Sequence, residues 1–252
     1  ITWYLNEFFQ SVGNEKIVGS ITPEYMFFPK AAKRIYDDIG SDVKIVAILR
    51  NPVKRALSHY KMSKKRGLEK LPFQLAISKE TERILVDEYQ FKNFSYINRG
   101  YYSQQLQPYF DLFGRENVLV LIFENDIVQN LSNTVAKITD FLEIERFDLD
   151  VNIKSNQGNE SIIPFFNKII YGNNILKKIF KKIVKNESTK RYLVKNIEKL
   201  NISKTHKKSS VELSHDEEYE IYFKYFKDEI EYLEKKINID LAIWKYNTNS
   251  NN

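Results

Sequence analysis

The sequence predicts an α/β fold built on a parallel sheet, and three observations support this. Two apolar runs, VKIVAIL over residues 43–49 and NVLVLIF over residues 117–123, are typical of strands buried on both faces of such a sheet. Patterns of helical spacing separate the runs, and strands that alternate with helices imply crossover connections. The chain has 252 residues, 42% of them hydrophobic, which is enough for one sizeable core. We therefore predict a single domain over residues 1–252.

Helical patterns fill the chain between the two predicted strands. The spacing of apolar residues predicts helices over residues 51–66, around residues 73–89 and over residues 101–113. Gly114 follows the third of these, and glycine is the residue that most often ends a helix.

Two further helices are predicted after the second strand. Residues 130–144 form one, with Ser132 or Asn130 as its cap. Its inward face is expected to consist of Val135, Ile138 and Leu142. Ser214 and Glu217 form a capping box at the start of the last long helix. The apolar residues of that helix recur at helical spacing: Tyr219, Tyr222, Phe223, Phe226, Ile230, Leu233 and Ile237.

Residues 160–210 are predicted to form a basic helical and loop insertion near the ligand cleft. This part of the chain is rich in lysine and asparagine, and an apolar stripe runs between the lysines: Ile175, Leu176, Ile179, Phe180 and Ile183. Such a stripe packs on its host domain when the neighbouring lysines extend their ends into water. The alternative is a basic amphipathic helix that lies on an anionic membrane or polymer.

Composition narrows the classes of function. The formal charge of +6 suits an anionic ligand but is lower than the dense basic patches of nucleic-acid binders, so we expect no nucleic-acid partner. With no cysteine and three histidines, neither a thiolate site nor another metal site is expected. No apolar run reaches the roughly 20 residues that span a bilayer, so stable membrane insertion is not expected. The absence of cysteine favours a reducing compartment. Because the chain is also rich in lysine, asparagine and isoleucine, as proteins of AT-rich genomes are, and shows no anchor, we expect the bacterial cytoplasm rather than the Golgi lumen.

The stretch KIVAILRNPVKRALSHY, from Lys44 to Tyr60, joins a strand end to a helix start. Arg50 follows the strand at its carboxyl end, where ligands bind in open α/β sheets. Asn51 is placed to cap the helix and Pro52 to begin it. Helical spacing gives an apolar side with Val53, Ala56, Leu57 and Tyr60, and a polar side with Asn51, Lys54, Arg55 and Ser58. A guanidinium, helix amides and a hydroxyl all donate hydrogen bonds, so a phosphate or sulfate suits them jointly. The alternative is a capped helix with a solvated polar side.

These residues resemble the 3′-phosphate-binding motif of sulfotransferases that use 3′-phosphoadenosine 5′-phosphosulfate (PAPS). The matching residues are Arg50, Asn51, Pro52, Arg55, Ala56 and Ser58. The resemblance is closest to the heparan-sulfate type and its bacterial relatives. Other segments are similar to the same family: ITPEYMFFPKAAKRIY, RGYYSQQLQPYFDLFGRENVLVLIFEND, TDFLEI and KTHKKSS. The resemblance implies a P-loop-like three-layer sandwich, with a central parallel sheet and helices on both faces.

The resemblance also implies roles for single residues. Arg50 and Ser58 would hold the 3′-phosphate of PAPS, and a basic loop would cover it with Lys204, Lys207 and Lys208. The family's Lys-Gly-Arg core of that loop is replaced here by His206, Lys207 and Lys208, and solvated charges are the alternative interpretation. Arg99 and Tyr102 would shape the nucleotide or acceptor cleft by binding the cofactor, and the alternative for Tyr102 is a place in the core. The residues expected near the acceptor are Thr22, Pro23, Glu24 and Tyr25.

Family members begin with a lysine- and glycine-containing loop that holds the 5′-phosphosulfate, followed by a catalytic glutamate. Neither is present in this sequence, so the general base and the lysine are expected upstream of Ile1, with Glu24 as the alternative base. The predicted function is transfer of a sulfuryl group from PAPS to a hydroxyl or amine of a saccharide or other small molecule, with PAP as the second product and no metal. One alternative is a non-catalytic basic module that binds nucleic acid or anionic polymer. A kinase-like nucleotide enzyme is the other, but the Gly-x-x-x-x-Gly-Lys-Ser/Thr loop it needs is not found.

Overall fold

The computed structural model describes Phe9, residues 12–147 and residues 211–246. The predicted basic insertion at residues 160–210 therefore lies outside the described residues. The same holds for its apolar stripe and for Lys204, Lys207 and Lys208.

The elements alternate between strand and helix as the sequence predicts. The elements up to residue 94 are α1 (Ala31–Ile39), β1 (Ile45–Leu49), α2 (Pro52–Lys65), α3 (Phe73–Ser78), α4 (Glu80–Ile84) and α5 (Glu88–Phe94). The elements that follow are α6 (Tyr102–Phe113), β2 (Val118–Ile122), α7 (Leu131–Phe141), α8 (His215–Ile221) and α9 (Lys227–Ile237). Short 3₁₀ turns lie at Asn98–Gly100, Arg115–Asn117 and Ala242–Trp244, and π-helical turns at Phe123–Gln129 and Tyr222–Phe226.

The two predicted strands form a parallel pair, which makes a two-stranded sheet within the described residues. Ile45 lies opposite Val118, and Leu49 lies opposite Ile122. Because the strands run in the same direction and in register, their carboxyl ends meet at one edge of the sheet.

The prediction that β1 is buried on both faces is wrong. Ala47 and Leu49 are 8% and 0% exposed, whereas Val46 and Ile48 are 38% and 51% exposed. Successive side chains of a strand point to opposite faces, so this alternation shows that one face of β1 is covered and the other is open. An uninterrupted apolar run does not distinguish these two cases.

The described residues divide into two compact units. The first unit takes its residues from Ile1–Asn51, Tyr101–Ile153 and Tyr225–Asn252 and contains the sheet. In this unit α6 packs against α1, α9 and β2. Its core includes Ala32, Tyr109, Phe113 and Val118. Glu229 of α9 accepts hydrogen bonds from the amide and the hydroxyl of Ser103, at 2.7 and 2.8 Å, and so joins α9 to the first turn of α6.

The second unit takes its residues from Pro52–Gly100 and Lys154–Lys224. The predicted apolar side of α2 is confirmed, because its four residues are between 0% and 9% exposed. Tyr60 packs on the rings of Phe73 and Tyr96, with centroids 5.0 and 5.9 Å apart. The pattern predicted around residues 73–89 is divided among α3, α4 and α5.

Helix α7 begins after Asn130, so Asn130 rather than Ser132 is the cap residue, although its side chain makes no capping hydrogen bond. The three residues predicted to face inward are only half-buried. The buried positions are Thr134 and Thr139. Their hydroxyls donate to the carbonyls of Asp126 and Ala136, at 2.7 and 2.9 Å, and a hydroxyl paired in this way can be buried at little cost.

The last predicted helix is interrupted. The π-helical turn Tyr222–Phe226 separates α8 from α9 and adds a residue to the turn, which shifts the apolar stripe around the helix axis. Tyr222, Phe226, Ile230 and Leu233 are buried as predicted, but Phe223 is 57% exposed.

Ser214 starts α8 with the predicted capping box: its hydroxyl accepts from the Glu217 amide, and the Glu217 carboxylate accepts from the Ser214 amide. We expect Ser214→Ala to lower the free energy of unfolding by about 1 kcal/mol, because the Glu217 amide loses its acceptor at the helix end. Urea denaturation measures this. Ser132→Ala, at an exposed serine that is not a cap, serves as the control, and an equal loss in both variants would contradict the capping role.

His59 of α2 makes the stability of the protein depend on pH. Burial, followed by the neighbouring charges of Arg55 and Arg99, lowers the pKa of His59 to about 3. The unfolded chain therefore binds a proton below the ordinary histidine pKa of 6.5, while the folded protein does not, and stability falls as the pH drops from about 6.5 to about 3. Between about pH 7 and about pH 5 we expect a loss of about 2 kcal/mol from this residue.

Urea denaturation of wild type and His59→Gln at both pH values tests this expectation. The variant should lose this part of the pH dependence, and His215→Gln, at an exposed histidine, should retain it. Identical pH profiles for wild type and His59→Gln would show that the buried imidazole does not contribute.

Candidate active site

The carboxyl ends of β1 and β2 bring two short segments of the first unit together. Arg50 and Asn51 follow β1, and Phe123 and Glu124 follow β2 as the start of a π-helical turn. π-Helical turns are rare and often lie at functional sites, and the carboxyl edge of a parallel sheet is where ligands bind.

Arg50 packs on an aromatic ring and has one buried donor without an acceptor among the described residues. Its guanidinium carbon lies 5.3 Å from the centre of the Phe123 ring. Its Nε is buried and has no hydrogen-bond partner among the described residues. A buried donor without an acceptor costs about 1–3 kcal/mol, so an anion that supplies the acceptor is favoured. The planar, always charged guanidinium fits a phosphate or sulfate group.

The backbone around Arg50 is held by three side chains of the first unit. The hydroxyl of Tyr102, a residue 2% exposed, donates to the Arg50 carbonyl at 2.8 Å. The Asn51 amide donates to Glu124 Oε1 at 3.0 Å. The indole nitrogen of Trp244 donates to Glu124 Oε2 at 2.8 Å. Tyr102 was predicted to shape the cleft by contact with a ligand, and that contact stays a prediction.

The placement of Asn51 on the polar side of the helix is wrong. Asn51 is 2% exposed, and its backbone N–H donates to Glu124. Asn51 precedes the helix proper, which starts at Pro52, so helical spacing does not determine its surroundings. Its amide is therefore not an available donor for an anion.

Ser58 and Arg55 belong to α2 in the second unit. Ser58 is exposed. Arg55 is half-buried, and its guanidinium donates to the Tyr96 carbonyl. The binding of one phosphate by both Arg50 and Ser58 stays a prediction.

Arg99 lies in the 3₁₀ turn Asn98–Gly100 of the second unit. The Glu80 carboxylate accepts from the amides of Ile97 and Asn98, at 2.6 and 2.7 Å, and so holds this turn. Burial raises the pKa of Glu80, although these amide bonds oppose the rise. Arg99 donates to the Lys92 carbonyl at 3.0 Å, and its role toward a ligand stays a prediction.

The four residues predicted near the acceptor form a turn in the first unit. The Tyr25 amide donates to the Thr22 carbonyl at 3.1 Å, and the Phe27 amide donates to the Glu24 carbonyl at 3.1 Å. Thr22, Glu24 and Tyr25 are half-buried and Pro23 is exposed. Contact of this turn with an acceptor stays a prediction.

Two residues of the site, Glu124 and Trp244, were missed by the sequence analysis. Glu124 had a signal, because it follows a buried strand directly, as Arg50 does. Trp244 had none: it lies 120 residues after its partner in the sequence, and nothing in its local pattern points to Glu124.

A parallel strand pair joined through helices defines an α/β protein, and Arg50 lies at the edge of the sheet where such proteins bind ligands. Residues 36–161 of the 252 match the sulfotransferase domain family, and the chain belongs to this family.

Known proteins show the same relationship. A membrane-associated sulfotransferase of Dictyostelium discoideum is 38% identical over 65 residues, which cover 25% of this chain and 14% of that protein. Heparan sulfate glucosamine 3-O-sulfotransferases 3B1 and 3A1 of Mus musculus are each 26% identical over 136 residues, which cover 54% of this chain and 33% of each enzyme. The chain thus matches a third or less of the length of these relatives.

A solved sulfotransferase from Alicyclobacillus acidocaldarius has a similar fold. It is 25% identical, with a TM-score of 0.64, over 96% of this chain and 73% of the solved one. Together with the parallel strands, this likeness confirms the predicted P-loop-like α/β fold class. Among the described residues, none of the helices has the length and apolar character needed to cross a bilayer.

Proposed function

We propose that this protein transfers a sulfuryl group from PAPS to a hydroxyl or amine of a saccharide acceptor. The observation that carries the proposal is Arg50 at the carboxyl edge of the sheet, with a buried Nε that lacks an acceptor within the described residues. Membership of the sulfotransferase family supports the reaction. The similarity to two heparan sulfate glucosamine 3-O-sulfotransferases supports a saccharide acceptor.

PAPS supplies an activated sulfuryl group, and the protein has to bind and orient it. Arg50 would hold the 3′-phosphate, with Ser58 as its partner. The guanidinium lies over the ring of Phe123, and a contact with a ring face does not use the N–H donors of a guanidinium. The acceptor would then attack the sulfur in line with the bond to the leaving phosphate. Hydrogen-bond donors of the protein would stabilise the charge that develops, as they do in phosphoryl transfer.

The acceptor must lose a proton as it attacks. Of the four residues expected near the acceptor, Glu24 carries the carboxylate, so it is the candidate base within the described part of the chain.

Calorimetric titration of the full-length protein with PAP and with AMP tests the proposal. The two nucleotides differ by the 3′-phosphate, and charge-assisted hydrogen bonds to it predict a preference for PAP of about 30-fold or more. Equal affinity for PAP and AMP, or no binding of either, would contradict the proposal. Steep salt dependence together with indifference to PAP would favour a basic polymer-binding module instead.

A further inference from the structure

The peptide group that joins Arg50 to Asn51 is held at both of its polar ends. Its oxygen accepts from the Tyr102 hydroxyl at 2.8 Å, and its N–H donates to Glu124 at 3.0 Å. A peptide group is planar, so fixing its oxygen and its N–H fixes the orientation of the whole plane. This plane fixes the backbone on one side of the Arg50 Cα, and β1, whose last residue Leu49 pairs with Ile122, fixes the backbone on the other side. Together they set the direction in which the Arg50 side chain leaves the backbone.

Glu124 is itself held. Its second oxygen accepts from the indole nitrogen of Trp244 at 2.8 Å, so each carboxylate oxygen has a donor. Trp244 is 0% exposed, and its ring lies 6.0 Å from the Tyr102 ring. Tyr102, Glu124 and Trp244 therefore form one connected set around the backbone at Arg50, and we call this set the peptide clamp.

We propose that the peptide clamp positions Arg50 for the 3′-phosphate: Tyr102 and Glu124 act on Arg50 through its backbone, and Trp244 orients Glu124. This inference rests on the proposed function, in which Arg50 binds that phosphate. None of the three side chains needs to touch the nucleotide. Arginine has many rotamers, and a fixed backbone reduces the conformational freedom that Arg50 loses when it binds.

The test uses Tyr102→Phe, Glu124→Gln and Trp244→Phe in the full-length protein, with PAP and AMP titrated by calorimetry. Tyr102→Phe and Glu124→Gln each change one hydrogen bond and keep the size of the side chain, whereas Trp244→Phe removes the indole N–H together with part of the ring system. We expect the preference for PAP over AMP to fall about 5- to 10-fold, with little change in the affinity for AMP. A merely structural role would lower the melting temperature and leave the preference unchanged.

Two matched controls separate the clamp from its surroundings. Tyr109 lies on the same helix, α6, and its buried hydroxyl has no hydrogen-bond partner in the described part of the chain. Asp126 lies in the same π-helical turn as Glu124, but its carboxylate binds the Ile122 amide and Lys137. Tyr109→Phe and Asp126→Asn should keep the wild-type preference for PAP.

The outcomes distinguish this inference from the proposed function. If wild type prefers PAP and Arg50→Ala does not, but the clamp variants match wild type, the positioning role is overturned and the proposed function stands. If wild type shows no preference for PAP, both are overturned. If Glu124→Gln does not fold, Tyr102→Phe decides the question, because it removes a single oxygen.

Discussion

Arg50→Ala is expected to weaken binding of PAP by about 30- to 100-fold, which is about 2–3 kcal/mol, and to change the affinity for AMP little. The reason is that the lost guanidinium supplies charge-assisted hydrogen bonds to the 3′-phosphate, which AMP lacks. Arg50→Lys should bind PAP with an affinity between those of wild type and Arg50→Ala, because an ammonium keeps the charge but loses the planar arrangement of donors. Calorimetric titration with PAP and with AMP measures the affinity of each variant for both nucleotides.

Arg115→Ala is the matched control for Arg50→Ala. Arg115 also lies over a phenylalanine ring, 4.6 Å from the centre of Phe110, but it is exposed and follows α6 rather than a strand. Its loss should leave the affinity for PAP unchanged. If Arg50→Ala weakened the binding of PAP and of AMP equally, Arg50 would not be the residue that recognises the 3′-phosphate.

Glu69→Ala is expected to lower the free energy of unfolding by about 3–5 kcal/mol, since it leaves the half-buried Arg83 charge and the buried Tyr96 hydroxyl without their acceptor. Glu69 is 4% exposed. It accepts from Arg83 at 2.7 Å, from the Tyr96 hydroxyl at 2.8 Å and from the Leu71 amide at 2.9 Å. Tyr96 is fully buried, so its hydroxyl would lose its acceptor in the protein interior. Urea denaturation at neutral pH measures the loss.

The pKa of Glu69 gives this prediction a second observable. Burial alone would raise that pKa, but the hydrogen bonds from Arg83, the Leu71 amide and Tyr96 outweigh it and hold it below the ordinary value of 4.5. The stability that ionised Glu69 contributes is therefore present above about pH 4.5 and is lost as the pH falls through the lower, folded-state pKa. Glu69→Gln should lose this acid dependence.

Glu82→Ala provides the comparison, because Glu82 is an exposed glutamate beside Arg83 in α4. Its effect on stability should stay within about 0.5 kcal/mol. A loss for Glu69→Ala no larger than that for Glu82→Ala would show that the buried network does not stabilise the second unit.

Local patterns predicted the parts of the fold that local physics determines. The start of α2 at Pro52, the end of α6 at Gly114 and the capping box at Ser214 each depend on a few neighbouring residues, and all three are confirmed. The motif at Arg50 could be recognised for the same reason, since its residues are close together in the sequence.

Features that depend on distant residues could not be predicted in this way. Whether both faces of β1 are covered depends on which elements pack against them, and the apolar run is the same in either case. The hydrogen bond between Glu124 and Trp244 joins residues 120 positions apart. The π-helical turn Tyr222–Phe226 inserts a residue into a regular apolar pattern, and this moved Phe223 to the surface.

The most direct measurement of the central claim is a crystal structure of the full-length protein with PAP bound. The account predicts the 3′-phosphate at the carboxyl end of β1, within hydrogen-bond distance of the Arg50 guanidinium and of the Ser58 hydroxyl, with the Arg50 carbonyl still bound to Tyr102. A 3′-phosphate bound elsewhere, with no contact to Arg50, would contradict it.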